Sequence, residues 1–103
     1  MKILIVEDDL VIAESLASEL KKWNYDVKMA KQFSHVLDDF KDYLPDLVLL
    51  DINLPTLNGF HWCQEMRKIS NVPIIFISSR TDNMDQIMAI QMGGDDFIEK
   101  PFN

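Results

Sequence analysis

Bursts of aliphatic residues alternate with amphipathic stretches from one end of this chain to the other. Residues 3–6, ILIV, read as a buried strand. Residues 10–23 place Ile12, Leu16, Leu20 and Trp23 at spacings of four, four and three, which predicts a helix with one apolar face. Residues 25–30, YDVKMA, alternate apolar and polar positions as a half-buried strand does. Phe33, Val36, Leu37 and Phe40 then follow the i, i+3, i+4, i+7 pattern of a second helix, which ends before Pro45.

Residues 47–50, LVLL, are aliphatic at every position and predict a strand covered on both faces. A loop containing Pro55 and the Asn58-Gly59 pair follows. Residues 60–69 predict a third helix with Phe60, Cys63 and Met66 turned inward. Residues 72–77, VPIIFI, predict a fourth strand. Residues 83–92 predict a Met-rich helix stopped by Gly93-Gly94, and residues 96–99, DFIE, a short fifth strand. The order βαβαβαβαβ predicts an α/β fold with a parallel sheet and helices on both of its faces.

At 103 residues the chain fits one domain, residues 1–103. Its hydrophobic content of 48% supplies a core. The net charge of −7 argues against direct binding to nucleic-acid phosphates, which needs a surplus of Lys and Arg. It favours metal cations or basic protein partners instead. The single cysteine, Cys63, excludes an intrachain disulfide and fits a reducing, cytoplasmic setting. It reads as a small buried helix residue. The start MKILIVEDD is not a secretory signal, and no segment reaches membrane-spanning length, so no direct membrane contact is expected.

Working residues of such sheets gather beyond the carboxyl ends of the strands. Here those ends carry Glu7-Asp8-Asp9, Asp51, Ser78-Ser79 and Lys100-Pro101. Taken singly, each has a bland explanation. Asp9 reads as a helix cap, Asp51 as a turn former, Ser78 as a loop cap and Lys100 as a solvated cation. Brought to one rim, the carboxylates repel one another unless a cation sits among them. Oxygen ligands in small number suit Mg²⁺. Asp51 is then placed to attack a phosphoryl donor. Asp8 would bind the metal directly, Glu7 through a water, and a backbone carbonyl at Asn53 would add a ligand. Lys100 and the Ser78 hydroxyl would hold the phosphoryl oxygens.

The stretches VEDD, LLDINLPTLNG, FISSR and EKPF together resemble the receiver domain of bacterial two-component response regulators, over nearly the whole chain. The resemblance implies the flavodoxin-like (CheY-like) doubly wound sheet of five strands, in the order 2-1-3-4-5. It implies that Asp51 is the phosphoacceptor and that Glu7 and Asp8 are the acidic pair of the metal site. It further implies that Ser78 is the phosphate-sensing hydroxyl, Lys100 the phosphate-pairing cation and Phe97 the switch aromatic. The expected function is a phosphorylation-dependent switch and not a turnover enzyme.

GGDDFIEKPF is similar to the OmpR/PhoB class, and SSRTDNMDQIMAIQMGGDDF to its BceR/GraR-like subgroup. That class implies a sensor histidine kinase as donor, and a homodimer through the fourth helix and fifth strand. It also implies promoter DNA as a target, reached only through an effector domain missing here. The chain stops at Asn103, where the family continues into a final helix, so a truncated domain is expected, with uncovered apolar surface beside the fifth strand that favours self-association. Two rival readings have distinguishing features. An aspartyl-nucleophile phosphatase needs a second acid two residues after its nucleophile, where this chain has Asn53. A structural pseudo-receiver has no use for an intact set of Asp8, Asp51, Ser78 and Lys100.

Overall fold

The computed structural model describes residues 1–78 and 93–99. In chain order the elements are β1 (Lys2–Val6), α1 (Leu10–Lys22), β2 (Asp26–Met29), α2 (Val36–Tyr43), β3 (Leu47–Asp51), α3 (Gly59–Arg67), β4 (Ile74–Ser78) and β5 (Asp96–Glu99). The predicted helix at 83–92 lies outside the described residues. The strands form one sheet in the order β2-β1-β3-β4-β5, and every neighbouring pair is parallel.

Side chains alternate across the two faces of this sheet, as strand geometry requires. Leu4, Val6, Val48, Leu50, Ile74 and Phe76 face α2 and α3, where Val36, Phe40, Trp62, Cys63 and Met66 complete the larger apolar cluster. Ile3, Ile5 and Leu49 face α1 and pack on Ala13 and Ala17. Both faces of β1 and β3 are therefore covered, which is why their sequences are aliphatic throughout.

The helix faces differ in part from the periodic reading. In α1 the buried residues are Ala13 and Ala17, with Leu16 and Leu20 at their margin, while Trp23 is the C-cap and 74% exposed. Small alanines let α1 approach the sheet closely, so the larger residues flank the contact. Phe33 precedes α2 but still packs against the larger cluster. In α3, Cys63 and Met66 are buried as predicted, Trp62 is buried as well, and Phe60 is half-buried, stacked at a tilt on Phe76 with centroids 5.3 Å apart. The third helix starts one residue earlier than predicted, at Gly59, because Asn58 serves as N-cap by accepting the His61 N–H. Burial pushes the Cys63 thiol up to about 11, so at neutral pH it is a protonated core group and a poor nucleophile.

Leu44 closes α2 in the left-handed region at φ 52, and its side chain is 71% exposed. A Cβ is strained there, and no buried packing of the side chain offsets the cost. Leu44→Gly is expected to raise unfolding stability by about 1 kcal/mol in urea titrations.

Candidate functional site at the carboxyl ends of the strands

Parallel register builds the site. Ile5 pairs with Leu49 and Val6 with Leu50, so Glu7 and Asp51 come next on neighbouring strands. Residues two apart on a strand share a face, which sets Glu7 beyond Ile5 and Asp51 beyond Leu49 on the α1 side of the sheet. One carboxylate oxygen from each of Glu7, Asp8 and Asp51 lies within 4.8 Å of the others. Glu7 is 3% exposed and Asp51 2%, whereas Asp8 faces solvent.

The backbone holds these groups in place. Glu7 Oε2 accepts the Asp9 N–H at 3.1 Å. Asp9 itself caps α1, its Oδ1 accepting from the Val11 and Ile12 amides, so the third acid of the triplet has the capping role read from sequence. Asp51 Oδ1 accepts the Asn53 N–H at 3.3 Å. Asn53 thus orients the carboxylate through its amide, a contact absent from the sequence reading, which assigned it a carbonyl role.

Ser78 is the last residue of β4, one position beyond the predicted strand, and completely buried. The preceding residue, Ile77, pairs with Asp51, so Ser78 sits one step further along the rim. Phe97 falls within β5 opposite Phe76. Its side chain and all of Lys100 lie outside the described residues.

Gly59 is a site residue that the sequence reading treated only as a turn signal. A Cβ at this position would collide with the Asp51 carbonyl oxygen and crowd the Ile52 backbone. Its amide donates to the Ile52 carbonyl at 2.9 Å. The N-terminus of α3 is therefore seated directly on the end of β3, and only a glycine permits that approach. The signal was the Asn-Gly pair itself, but the need is for space and not for a left-handed turn.

Three carboxylates with hard oxygen donors, two of them buried, fit a small divalent cation. The same rim has a buried carboxylate in Asp51 and a buried hydroxyl in Ser78. These are parts that suit phosphoryl transfer, where positioning and charge stabilisation dominate.

The profile of the response regulator receiver domain matches residues 3–103. The chain belongs to that family. Its curated relatives include the transcriptional regulatory protein YvcP of Bacillus subtilis, 56% identical over 102 residues, and the response regulator GraR of Staphylococcus epidermidis, 47% identical over 102 residues. Each alignment covers 99% of this chain but 43% and 46% of those relatives, so the chain spans less than half their length.

Among solved structures, the N-terminal domain of the nisin resistance regulator NsrR, a lantibiotic response regulator, superposes with a TM-score of 0.89 at 50% identity. That match covers 99% of this chain and 86% of that one. The BeF3-activated receiver domain of Klebsiella pneumoniae RstA gives 0.94 at 33% identity, covering 100% and 88%. The chain is thus a response regulator receiver domain, similar to those of GraR and YvcP, and a regulatory module of phosphorylation-dependent signalling. No helix among the described residues is long and apolar enough to cross a membrane.

Gly59→Ala tests how the receiver's rim is built. The added methyl forces α3 away from β3, so stability should fall by about 1–3 kcal/mol in denaturant titrations. An unchanged midpoint would show that the approach is not tight.

Proposed function

We propose that this receiver takes a phosphoryl group on Asp51 from the phosphohistidine of a sensor kinase. The observation that carries this is the convergence of Glu7, Asp8 and the buried Asp51 at the end of the sheet. A carboxylate oxygen of Asp51 attacks phosphorus. The P–N bond to the histidine breaks, and its electron pair leaves with the imidazole, which takes up a proton. The product is an acyl phosphate on Asp51.

Asp8 and Asp51, together with the Asn53 carbonyl, would hold Mg²⁺, and Glu7 would act through a water. A divalent cation bound there supplies charge neutralisation for the phosphoryl oxygens. The chain's own residues do the rest. The Asn53 amide keeps the Asp51 carboxylate oriented. The Ser78 hydroxyl donates to a phosphoryl oxygen, and Lys100 pairs with another. The end of β3, held between β1 and β4, keeps the nucleophile from swinging away.

The switch follows from the same groups. As Ser78 turns toward the phosphoryl group, it vacates space into which Phe97 rotates. That shifts the population of the face formed by the fourth helix and β5. In the full-length protein this face makes the active homodimer and controls an effector domain that binds promoter DNA in the cytoplasm. The description of the YvcP relative as an uncharacterized transcriptional regulatory protein supports the last step. The lantibiotic response of the NsrR relative supports an antimicrobial peptide acting on the cell envelope as the signal.

Incubation with a small acyl phosphate and Mg²⁺ should add one phosphoryl group, mapped to Asp51 by mass spectrometry. Asp51→Asn and Asp8→Ala should each abolish the adduct. Undiminished labelling of Asp51→Asn would sink the assignment.

A further inference from the structure

At the opposite end of the sheet from the acidic rim, Arg67 ties three backbone segments together. It is the last residue of α3, and its side chain is 21% exposed. Its Nε donates to the Gly93 carbonyl at 2.7 Å, its Nη1 to the Val72 carbonyl at 2.5 Å and its Nη2 to Asp95 Oδ2 at 2.7 Å. The same Asp95 oxygen accepts the Ile74 N–H at 2.8 Å, and the Asp95 N–H donates back to the Ile74 carbonyl at 2.8 Å. Gly93 completes the arrangement. It stands at φ +100, and a Cβ there would lie 2.9 Å from Arg67 Cγ. A planar guanidinium bonds to three acceptors at once in a way that lysine cannot.

The clamp sits immediately before the two strands whose far ends matter most. β4 begins at Ile74 and ends at Ser78. β5 begins at Asp96, ends at Glu99 and is followed in the chain by Lys100. The pairing runs from Ile75 with Asp96 to Ser78 with Glu99. β5 has only four residues and closes the sheet beside a single neighbour, so its own ladder specifies register weakly. A slip of one residue would break the pairing of Ser78 with Glu99.

We propose that Arg67 is a positioning residue for phosphoryl transfer: by clamping Val72, Gly93 and Asp95, it fixes the register that pairs Ser78 with Glu99, the residue before Lys100 in the chain. The inference rests on the phosphoacceptor reading above. It adds a requirement which that reading does not contain, because Arg67 touches none of the groups on the acidic rim. Glu7 and Asp8 follow β1 and Asp51 ends β3, at the other end of the sheet from the clamped starts of β4 and β5.

The test measures two quantities on the wild-type chain and on Arg67→Met, Arg67→Lys and Asp95→Asn. One is the rate of phosphoryl uptake from acetyl phosphate, and the other is Mg²⁺ affinity by titration calorimetry. Arg67→Met should slow uptake roughly 10- to 100-fold, the scale of a misplaced transition-state group, with Mg²⁺ affinity unchanged. Arg67→Lys should be slow too, despite keeping the charge. Asp95→Asn keeps the acceptor for the Ile74 amide and should fall between, and it stands in for Arg67→Met if that variant does not fold.

Backbone NOEs linking Ser78 to Glu99 should be present in the wild type and weakened or lost in the slow variants. Wild-type uptake by Arg67→Met, or a parallel fall in Mg²⁺ affinity, would overturn the clamp's role while leaving the phosphoacceptor reading intact. A wild-type chain that takes up no phosphoryl group would overturn that reading, and this inference with it.

Discussion

Three carboxylates brought within 4.8 Å of one another are the constraint around which the rest of this domain is arranged. Their mutual repulsion opposes folding, and burying Glu7 and Asp51 adds the cost of removing charge from water. A chain of this size has little stability to spare, so such an arrangement persists only when the surrounding structure holds it rigidly. The scaffold does so with two strands covered on both faces. β1 and β3 lie side by side at the centre of the sheet, and their aliphatic residues fill both apolar clusters. The acids then emerge at positions fixed by register and not by flexible loops.

The local devices serve the same end. Asp9 caps α1 and returns its own amide to Glu7, so helix start and site acid are set by one turn. Gly59 lets α3 close directly over the end of β3. Asn58 caps that helix, and the Asn53 amide aims the Asp51 carboxylate. These contacts fix either the chain just after a central strand or the start of the helix that follows. The geometry of the rim is thereby inherited from the core.

Much of this was legible in the sequence. The unbroken aliphatic runs at 3–6 and 47–50 could be read as strands buried on both faces, and the acids at their ends as a shared rim, because register in a parallel sheet follows from continuity of the strands. Periodicity served less well where size mattered more than polarity. In α1 it favoured Trp23 over Ala13 and Ala17, since a spacing rule does not measure how closely a helix approaches a sheet. The collision that makes Gly59 necessary joins residues eight positions apart, and the clamp of Arg67 reaches 26 residues along the chain to Gly93. A solvated arginine at the end of a helix has the same sequence signature as one that locks two strands.

A rigid scaffold holds the acids in place but leaves their repulsion standing, and a divalent cation among them would offset it. Unfolding free energy measured against Mg²⁺ concentration tests this most directly. A cation that binds only the folded chain should raise stability in step with its occupancy, by about 1.4 kcal/mol at ten times the dissociation constant, and Asp8→Ala should lose the effect. A stability that stays flat with Mg²⁺ in the wild-type chain would contradict the account.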